Sequence, residues 1–186
     1  MTTVAFKATV YSFNIELADS DRGVYESLEL RVARHPSESE EYLLTRILAY
    51  TLEFTDGIEF SEGLSDPNEP AICVRDLTGA RRSWIDIGTP DPARLHKACK
   101  AVERVVVYTH KDPARLVSRL AEARIHRVEA LEVYAVDRGL ISALASRLER
   151  RMAFSLSVND RDLYLSIDGD TLTGAVSRHV VGGRQG

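Results

Sequence analysis

The stretch that decides the fold runs from Glu69 to Lys100 and reads EPAICVRDLTGARRSWIDIGTPDPARLHKACK. Two strand-like runs, Ile72–Val74 and Ser83–Ile87, flank a short turn that contains Gly79. Glycine supplies the positive φ that a tight turn needs, so this pattern predicts an antiparallel hairpin. The Gly-Thr-Pro that follows breaks the second strand, and a basic helix is predicted to begin after it.

The predicted hairpin carries a carboxylate at each end, Glu69 at its entry and Asp86 at its exit. If the strands pair antiparallel, both acids return to the same end, which is costly unless a cation shares them. The helix carries Arg94, Lys97 and Lys100, spaced three apart and therefore neighbours on one face. Two acids and a lysine around a hard cation would suit cleavage of a phosphodiester. Ordinary surface chemistry is the alternative.

Upstream of this stretch, a hairpin over residues 4–32 is followed by a helix that runs to about Thr55. Ser37 and Glu40 form a capping box that predicts its start, which places Glu38 in the first turn. Arg46 sits among apolar neighbours of this helix, so it needs a carboxylate or phosphate partner, or else it snorkels to solvent. Residues 56–70 are predicted to form an irregular acidic loop.

Downstream, the apolar run Arg104–Thr109 is typical of a strand buried on both faces and paired in parallel. The other predicted elements are a helix from Asp112-Pro113, a strand Ala130–Val136, a helix Asp137–Arg150 and a hairpin from Phe154 to Ile167. The segment from Asp168 is weakly patterned, and residues 182–186 are predicted to be disordered. The expected fold is α/β, a mixed central sheet flanked by helices in a single domain over residues 1–181.

Composition is that of a soluble protein, with 44% hydrophobic and 28% charged residues among 186. No apolar run is long enough for a membrane span, and the N-terminus does not have the pattern of a signal peptide. The two cysteines, Cys73 and Cys99, form no CxxC motif and are expected to act as small apolar residues in a reducing cytoplasm. The five histidines show no ligand spacing, so no zinc site is predicted.

The net charge of −4 is distributed unevenly. Residues 1–70 hold 5 basic and 14 acidic side chains, residues 71–127 hold 12 and 6, and residues 128–186 hold 7 and 8. This balance argues against a protein that coats nucleic acid generally. The basic middle third is where a phosphate-bearing ligand would be drawn, unless the acidic and basic thirds neutralise each other across the fold.

Several short segments together resemble the YaeQ family of bacteria across nearly the whole chain. They are His35-Pro36-Ser37-Glu38, Gly63-Leu64, Glu69-Pro70, Trp84-Ile85-Asp86-Ile87-Gly88, Pro90-Asp91, Arg94, Lys97-Ala98 and Tyr108-Thr109. The resemblance implies a variant of the restriction-endonuclease-like, PD-(D/E)xK nuclease fold, with a core of a helix, three strands, a helix and a strand at residues 37–109 and extra hairpins at both ends. The family has also been linked by name to suppression of the loss of a transcription elongation factor.

Carried onto this chain, the nuclease pattern places its first acid at Glu38 or Glu41. The acid at the hairpin start is Glu69, with Asp66-Pro67 as a rival, and the acid of the (D/E)xK segment is Asp86. The lysine two positions later is missing, because position 88 is glycine. The following helix can supply that cation, from Lys97 first and Arg94 second.

Two functions are therefore expected. In the first, Glu69 and Asp86 bind Mg²⁺ or Mn²⁺, Glu38 completes the site, and Lys97 and Arg94 serve a metal-dependent nuclease or phosphodiesterase. Arg46 and Lys100 would hold phosphate. In the second, the same pocket is catalytically inactive and binds nucleic acid or a protein partner. The missing lysine favours this second function, as does a possible ion-pair network of Glu38, Arg46, Asp86 and Arg94.

Overall fold

Ten strands form one mixed β-sheet in the computed structural model, which describes residues 7–61 and 66–182. In chain order they are β1 Thr9–Asp19, β2 Val24–Arg34, β3 Ile58–Phe60, β4 Ile72–Arg75, β5 Arg81–Ile87, β6 Arg104–Thr109, β7 Glu132–Val136, β8 Arg151–Asn159, β9 Asp162–Ile167 and β10 Asp170–Val180. Their order in the sheet is β2-β1-β8-β9-β10-β7-β6-β5-β4-β3. Three neighbouring pairs are parallel, β1–β8, β5–β6 and β6–β7.

The described chain also contains four α-helices. They are α1 Glu40–Leu52, α2 Pro92–Ala101, α3 Pro113–Glu122 and α4 Arg138–Ala145, and a short 3₁₀ helix covers Val128–Ala130. None of the described helices is long and apolar enough to cross a membrane. The predicted α/β architecture, a large mixed sheet with helices packed against it, is confirmed.

Two apolar clusters hold the helices on the sheet. Side chains of α1 and α4 share one cluster with the strands, including Phe13, Leu44, Ile85, Leu144 and Leu165. Helices α2 and α3 form the second cluster against β5, β6 and β7, including Trp84, Leu95, Val107, Leu120 and Val133. The central strands β5 and β6 are therefore covered on both faces, which explains why Val105, Val106 and Val107 form an unbroken apolar run.

Helix α1 begins later than the sequence predicted. Its N-cap is Ser39, whose hydroxyl accepts a hydrogen bond from the Tyr42 backbone N–H at 3.0 Å. The prediction that Ser37 caps this helix is wrong, because the Ser37 hydroxyl instead forms a hydrogen bond with Nδ1 of His35 at 2.6 Å. Glu38 consequently precedes the helix and is not in its first turn. The helix also ends at Leu52 instead of Thr55.

Other element boundaries differ from the predicted ones, because strand pairing outweighs the local sequence pattern. The segment predicted as an irregular loop contains β3, which pairs with β4, while Glu62 and Gly63-Leu64 lie outside the described residues. The segment predicted as weakly patterned contains β10, which pairs with both β9 and β7. Helix α4 stops at Ala145 instead of Arg150. The predicted tail 182–186 lies outside the described residues except for Gly182.

Candidate functional site

A cleft of about 580 Å³ opens where β5 and β6 end, beside the start of α1. Strand β5 ends at Ile87, and Gly88 turns the chain away with a φ of +81°, which favours glycine. The chain then enters α2 through its N-cap, Asp91. Five of the seven predicted site residues line the cleft, namely Glu38, Arg46, Glu69, Asp86 and Arg94.

Asp86 and Arg94 form a bidentate ion pair in the cleft. Nε of Arg94 donates to Oδ2 of Asp86 at 2.8 Å, and Nη2 donates to Oδ1 at 3.0 Å. The guanidinium lies 5.2 Å from the centre of the Trp84 ring. Burial lowers the pKa of Arg94, but the hydrogen bonds and charge of Asp86 outweigh it and leave that pKa above its ordinary value. Arg94 therefore stays charged at any physiological pH.

Glu69 points to a different cation. Its carboxylate accepts a hydrogen bond from Nη2 of Arg81 at 2.7 Å. Only its backbone carbonyl takes part in the Arg94 contacts, as an acceptor from Nη2. The two acids of the hairpin therefore meet at one cleft, as predicted, but each is paired with its own arginine.

Glu38 and Arg46 form a second, more deeply buried pair. Nη1 of Arg46 lies 3.9 Å from Oε1 of Glu38, and the side chains of Arg46 and Glu38 are 4% and 10% exposed. Arg46 also donates through Nη2 to the carbonyl of Ala33 at 2.9 Å. Burial raises the pKa of Glu38, although the charge of Arg46 opposes this. The expected four-residue network is thus two separate pairs.

Several buried polar atoms of residues that line the cleft have no hydrogen-bond partner in the described part of the protein. Among the described residues, Oε2 of Glu38, Nε of Arg46 and both ring nitrogens of His110 are buried and have no hydrogen-bond partner. Burial, followed by the charge of Lys111, lowers the pKa of His110, so its ring is neutral at pH 7. Buried polar atoms without partners are costly, and a bound ligand or water would satisfy them. The floor can therefore both donate and accept hydrogen bonds.

The arrangement of acids does not fit a bound Mg²⁺ or Mn²⁺. Such ions need several free oxygen ligands, yet both oxygens of Asp86 and one of Glu69 already accept hydrogen bonds from arginines. In the described part of the chain, no group of three or more His, Cys, Asp or Glu residues is placed to hold a metal ion. The described residues of the cleft therefore do not supply the free oxygen ligands that such an ion needs.

The two predicted lysines do not line the cleft. Lys97 and Lys100 are exposed on α2, whose buried residues are Leu95, Ala98 and Cys99. Lys111 lines the cleft in their place, next to His110. Both residues follow β6 directly, and the carboxyl ends of adjacent parallel strands are where α/β sheets bind ligands. That position was the signal in the sequence that could have identified them.

A second concavity of about 430 Å³ adjoins the cleft and shares Thr89 and Lys111 with it. We call it the basic depression, because four exposed cations line it, Lys111, Arg115, Arg119 and Arg138. Asp112, the N-cap of α3, is the one acid that lines it among the described residues. The nearest carboxylate to Arg119 is that of Asp91, at 3.9 Å on the exposed surface, where ion pairs are weak.

Comparison with known proteins identifies the family. A family model described as YaeQ protein matches residues 4–176. The chain belongs to the YaeQ family. Among YaeQ proteins named as uncharacterised, that of Salmonella typhi is 29% identical over 164 residues, covering 88% of this chain and 91% of its own. That of Escherichia coli K12 is 28% identical over 170 residues, covering 91% and 94%.

Two crystal structures of YaeQ proteins share the fold. The protein from Xanthomonas axonopodis pv. citri superposes with a TM-score of 0.83 at 34% identity, covering 94% of this chain and 99% of its own. The protein from Pseudomonas syringae has the same TM-score at 27% identity, covering 96% and 98%. The predicted YaeQ membership is thus confirmed. These relatives carry no activity in their names, so the function of this YaeQ member must be argued from its site.

Proposed function

We propose that the cleft and the basic depression together bind a phosphate-bearing strand of nucleic acid. The observation that carries this proposal is the basic depression itself. Four cations surround one acid there, on a chain whose overall charge is −4. Arg115 and Arg119 lie one helical turn apart on α3, so they point to the same side and can contact successive phosphates.

The cleft adjoins the basic depression. Lys111 and Thr89 belong to both concavities, so a strand that lies along the depression can place one group in the cleft. The unpartnered Nε of Arg46 can donate to an oxygen of that group, and the neutral ring of His110 can donate or accept. Phosphate contacts would supply most of the affinity, and contacts in the cleft would select the bound group.

The nuclease resemblance supports the same ligand without requiring catalysis. The elements α1, β3, β4, β5, α2 and β6 follow the order that the resemblance implies for a nuclease-like core. Descent from a phosphodiester-cleaving protein would account for three carboxylates, Glu38, Glu69 and Asp86, at one cleft. Because these acids are paired with arginines, binding is the function that the geometry supports better than metal-dependent cleavage.

The test measures binding by fluorescence anisotropy with labelled single-stranded DNA, duplex DNA and RNA of one sequence, at several salt concentrations. Replacing both Arg115 and Arg119 with alanine should weaken binding to the oligonucleotide that the wild type prefers, most strongly at low salt. Removal of one cation that neutralises a phosphate should lower the salt slope by about 1, so the double variant should lower it by roughly 2. The matched control replaces Lys97 and Lys100, which removes two charges from α2 outside both concavities.

Three results would contradict the proposal. The wild type could fail to bind any of the three oligonucleotides at low salt. The two double variants could lose affinity equally, which would indicate attraction to net charge and not to the depression. Finally, an acidic peptide of matched charge could displace the oligonucleotide completely, which would indicate an acidic protein partner as the ligand.

A further inference from the structure

The cleft and the basic depression differ in charge. Among the described residues, four acidic and three basic side chains line the cleft, namely Glu38, Asp66, Glu69 and Asp86 with Arg46, Arg94 and Lys111. The described lining of the depression has four cations and one acid. A phosphate group is negatively charged and is repelled by carboxylates, so the depression is its better site. The cleft therefore suits a part of the strand that carries no charge, which is a base.

The walls of the cleft suit a flat ring. Its volume of about 580 Å³ lies in the range of small-molecule sites, roughly 300–1,000 Å³. Apolar and aromatic side chains contribute to its lining, including Tyr42, Pro67, Pro70 and Ile87. Gly88 leaves room beside the Tyr42 ring, because a Cβ there would lie 3.7 Å from a ring carbon. Apolar walls around a few polar groups are typical of sites that bind flat heterocycles.

The carboxylate of Glu38 can accept hydrogen bonds from such a ligand. Its Oε1 lies 3.9 Å from Nη1 of Arg46, which is too far for a hydrogen bond. Its Oε2 is buried and has no partner among the described residues, and the same is true of Nε of Arg46. The side chains of Glu38 and Arg46 are 10% and 4% exposed. The cleft thus offers two neighbouring acceptors and a donor from side chains that are almost fully buried.

Guanine is the base whose edge complements these atoms. Its N1–H and N2–H groups donate side by side, as the two oxygens of a carboxylate require, and its O6 accepts next to them. Adenine, cytosine, uracil and thymine each have an acceptor beside the donor on that edge, and this acceptor would face a carboxylate oxygen. In a duplex the same edge of guanine is paired with cytosine, so only unpaired guanine can present it.

We propose that the cleft accepts one unpaired guanine base, with Glu38 as the acceptor of its N1–H and N2–H groups and Arg46 as the donor to its O6. The neighbouring phosphates of the strand lie in the basic depression. This inference rests on the proposed function and adds the identity of the base that the cleft selects. A Glu38 that only neutralised Arg46 would give no preference among bases.

The experiment measures fluorescence anisotropy with short single strands of the sugar type that the wild type prefers. Every position is thymine or uracil except the central one, which carries guanine, hypoxanthine, adenine or an abasic site. With the wild type, the guanine strand should bind about tenfold more tightly than the adenine or abasic strand, because a bidentate contact gives discrimination of that order. Hypoxanthine keeps N1–H and O6 but lacks the N2 amino group, so its affinity should be intermediate. Pairing the guanine strand with its complement should remove its advantage.

Variants separate the contact with the base from the contacts with phosphates. Glu38→Gln should reduce the preference for guanine to less than about twofold, because the amide presents a donor in place of one acceptor. Replacing both Arg115 and Arg119 with alanine should weaken binding of every strand and leave the preference unchanged. The double alanine variant of Lys97 and Lys100 is the control for both effects. If Glu38→Gln does not fold, Glu38→Asp replaces it, because its shorter side chain withdraws the carboxylate from the base.

The outcomes distinguish this inference from the proposed function. A wild type that binds no strand would overturn both. A wild type that binds strands but holds the abasic or hypoxanthine strand as tightly as the guanine strand would overturn this inference alone, without any variant. A guanine preference that survives in Glu38→Gln would also overturn it. Guanosine monophosphate should displace the guanine strand only at much higher concentration, and displacement at equal concentration would contradict the inference by identifying a free nucleotide as the ligand.

Discussion

At the residue scale, Arg46 shows how a buried charge is held in the core. It lies on α1, whose other inward residues are mainly apolar, and its side chain is 4% exposed. The sequence predicted either a carboxylate or phosphate partner or a side chain that snorkels to solvent, and Glu38 supplies a carboxylate from outside the helix. The geometry is imperfect, since Oε2 of Glu38 and Nε of Arg46 have no described partner. Such a pair depends on both members being present.

The first prediction concerns this pair. Arg46→Met should lower the free energy of unfolding by roughly 3 kcal/mol, because it leaves Glu38 buried without its cation. The double variant Glu38→Gln with Arg46→Met removes both charges and should recover part of the loss. Urea unfolding followed by circular dichroism provides the measurement, with m values compared to confirm similar exposed surface. Equal losses in the single and double variants would show that the two charges are not coupled.

At the element scale, the start of α1 sets the position of the cleft wall. The Ser39 cap fixes the first turn, from which Tyr42 and Arg46 project into the cleft one turn apart. Burial raises the pKa of Tyr42, and the charge of Glu38 adds to the effect, so its hydroxyl stays protonated. Displacement of this cap would therefore move Tyr42 and Arg46 together.

The second prediction separates the two serines before α1. Ser39→Ala removes the cap on the Tyr42 N–H and should destabilise the protein by about 1 kcal/mol. Ser37→Ala is the matched control, because its hydroxyl contacts His35 and no helical N–H. The measurement is thermal unfolding of both variants, compared with that of the wild type. If Ser37→Ala costs as much as Ser39→Ala, the helix begins where the sequence pattern placed it.

The position of Arg94 on α2 explains why this side chain, and not that of Lys97, reaches Asp86. Side chains on helices lean towards the N-terminus, so a long side chain near the start of α2 reaches back to the end of the preceding strand. Arg94 is in that position, whereas Lys97 is a turn further along and exposed. The spacing of Arg94, Lys97 and Lys100 by three predicted that they share a face of α2. Only Arg94 lies close enough to the end of β5 to contact Asp86.

At the scale of the whole molecule, β10 connects the two halves of the sheet. It pairs with β9 through its first half and with β7 through its second. Gly174 lies where β10 passes α4, and an added Cβ there would lie 2.9 Å from the Cβ atoms of Asp137 and Leu140. The absence of a side chain is therefore a packing requirement and is not needed for a turn.

The third prediction tests this contact. Gly174→Ala should destabilise the protein by roughly 1–3 kcal/mol, because the strand and α4 must separate to admit the methyl group. Thr173→Ala, at the exposed neighbouring position, is the control and should change stability by less. Chemical denaturation measures both. A Gly174→Ala protein as stable as the control would show that α4 can shift without cost.

Sequence patterns identified those strands and helices whose buried positions are occupied by apolar residues. The valine run of β6 and the hairpin of β4 and β5 could be predicted because their side chains are apolar on the buried faces. By contrast, β10 holds one buried residue, Val176, in a strand rich in threonine, serine and other exposed positions. Its strand structure depends on the neighbouring ladders, which lie far away in sequence and leave no local signal.

The candidate site was partly predictable for a related reason. The meeting of Glu69 and Asp86 follows from strand pairing, so it could be deduced from local sequence. The pairing of Glu69 with Arg81 depends on side-chain packing within the hairpin, and the entry of His110 and Lys111 depends on how β6 lies beside β5. That neighbour relation is set by tertiary packing, and the residue types alone do not determine it.

The parallel pairing of β1 with β8 has a consequence for synthesis on the ribosome. The hairpin of β1 and β2 is made first, but the strand that completes its inner edge is residues 151–159, far later in the sequence. During most of translation that edge carries open backbone donors and acceptors, which can recruit other nascent chains. Closure of this edge must therefore wait until residues 151–159 have left the exit tunnel, so chaperone dependence should be greatest for the hairpin of β1 and β2.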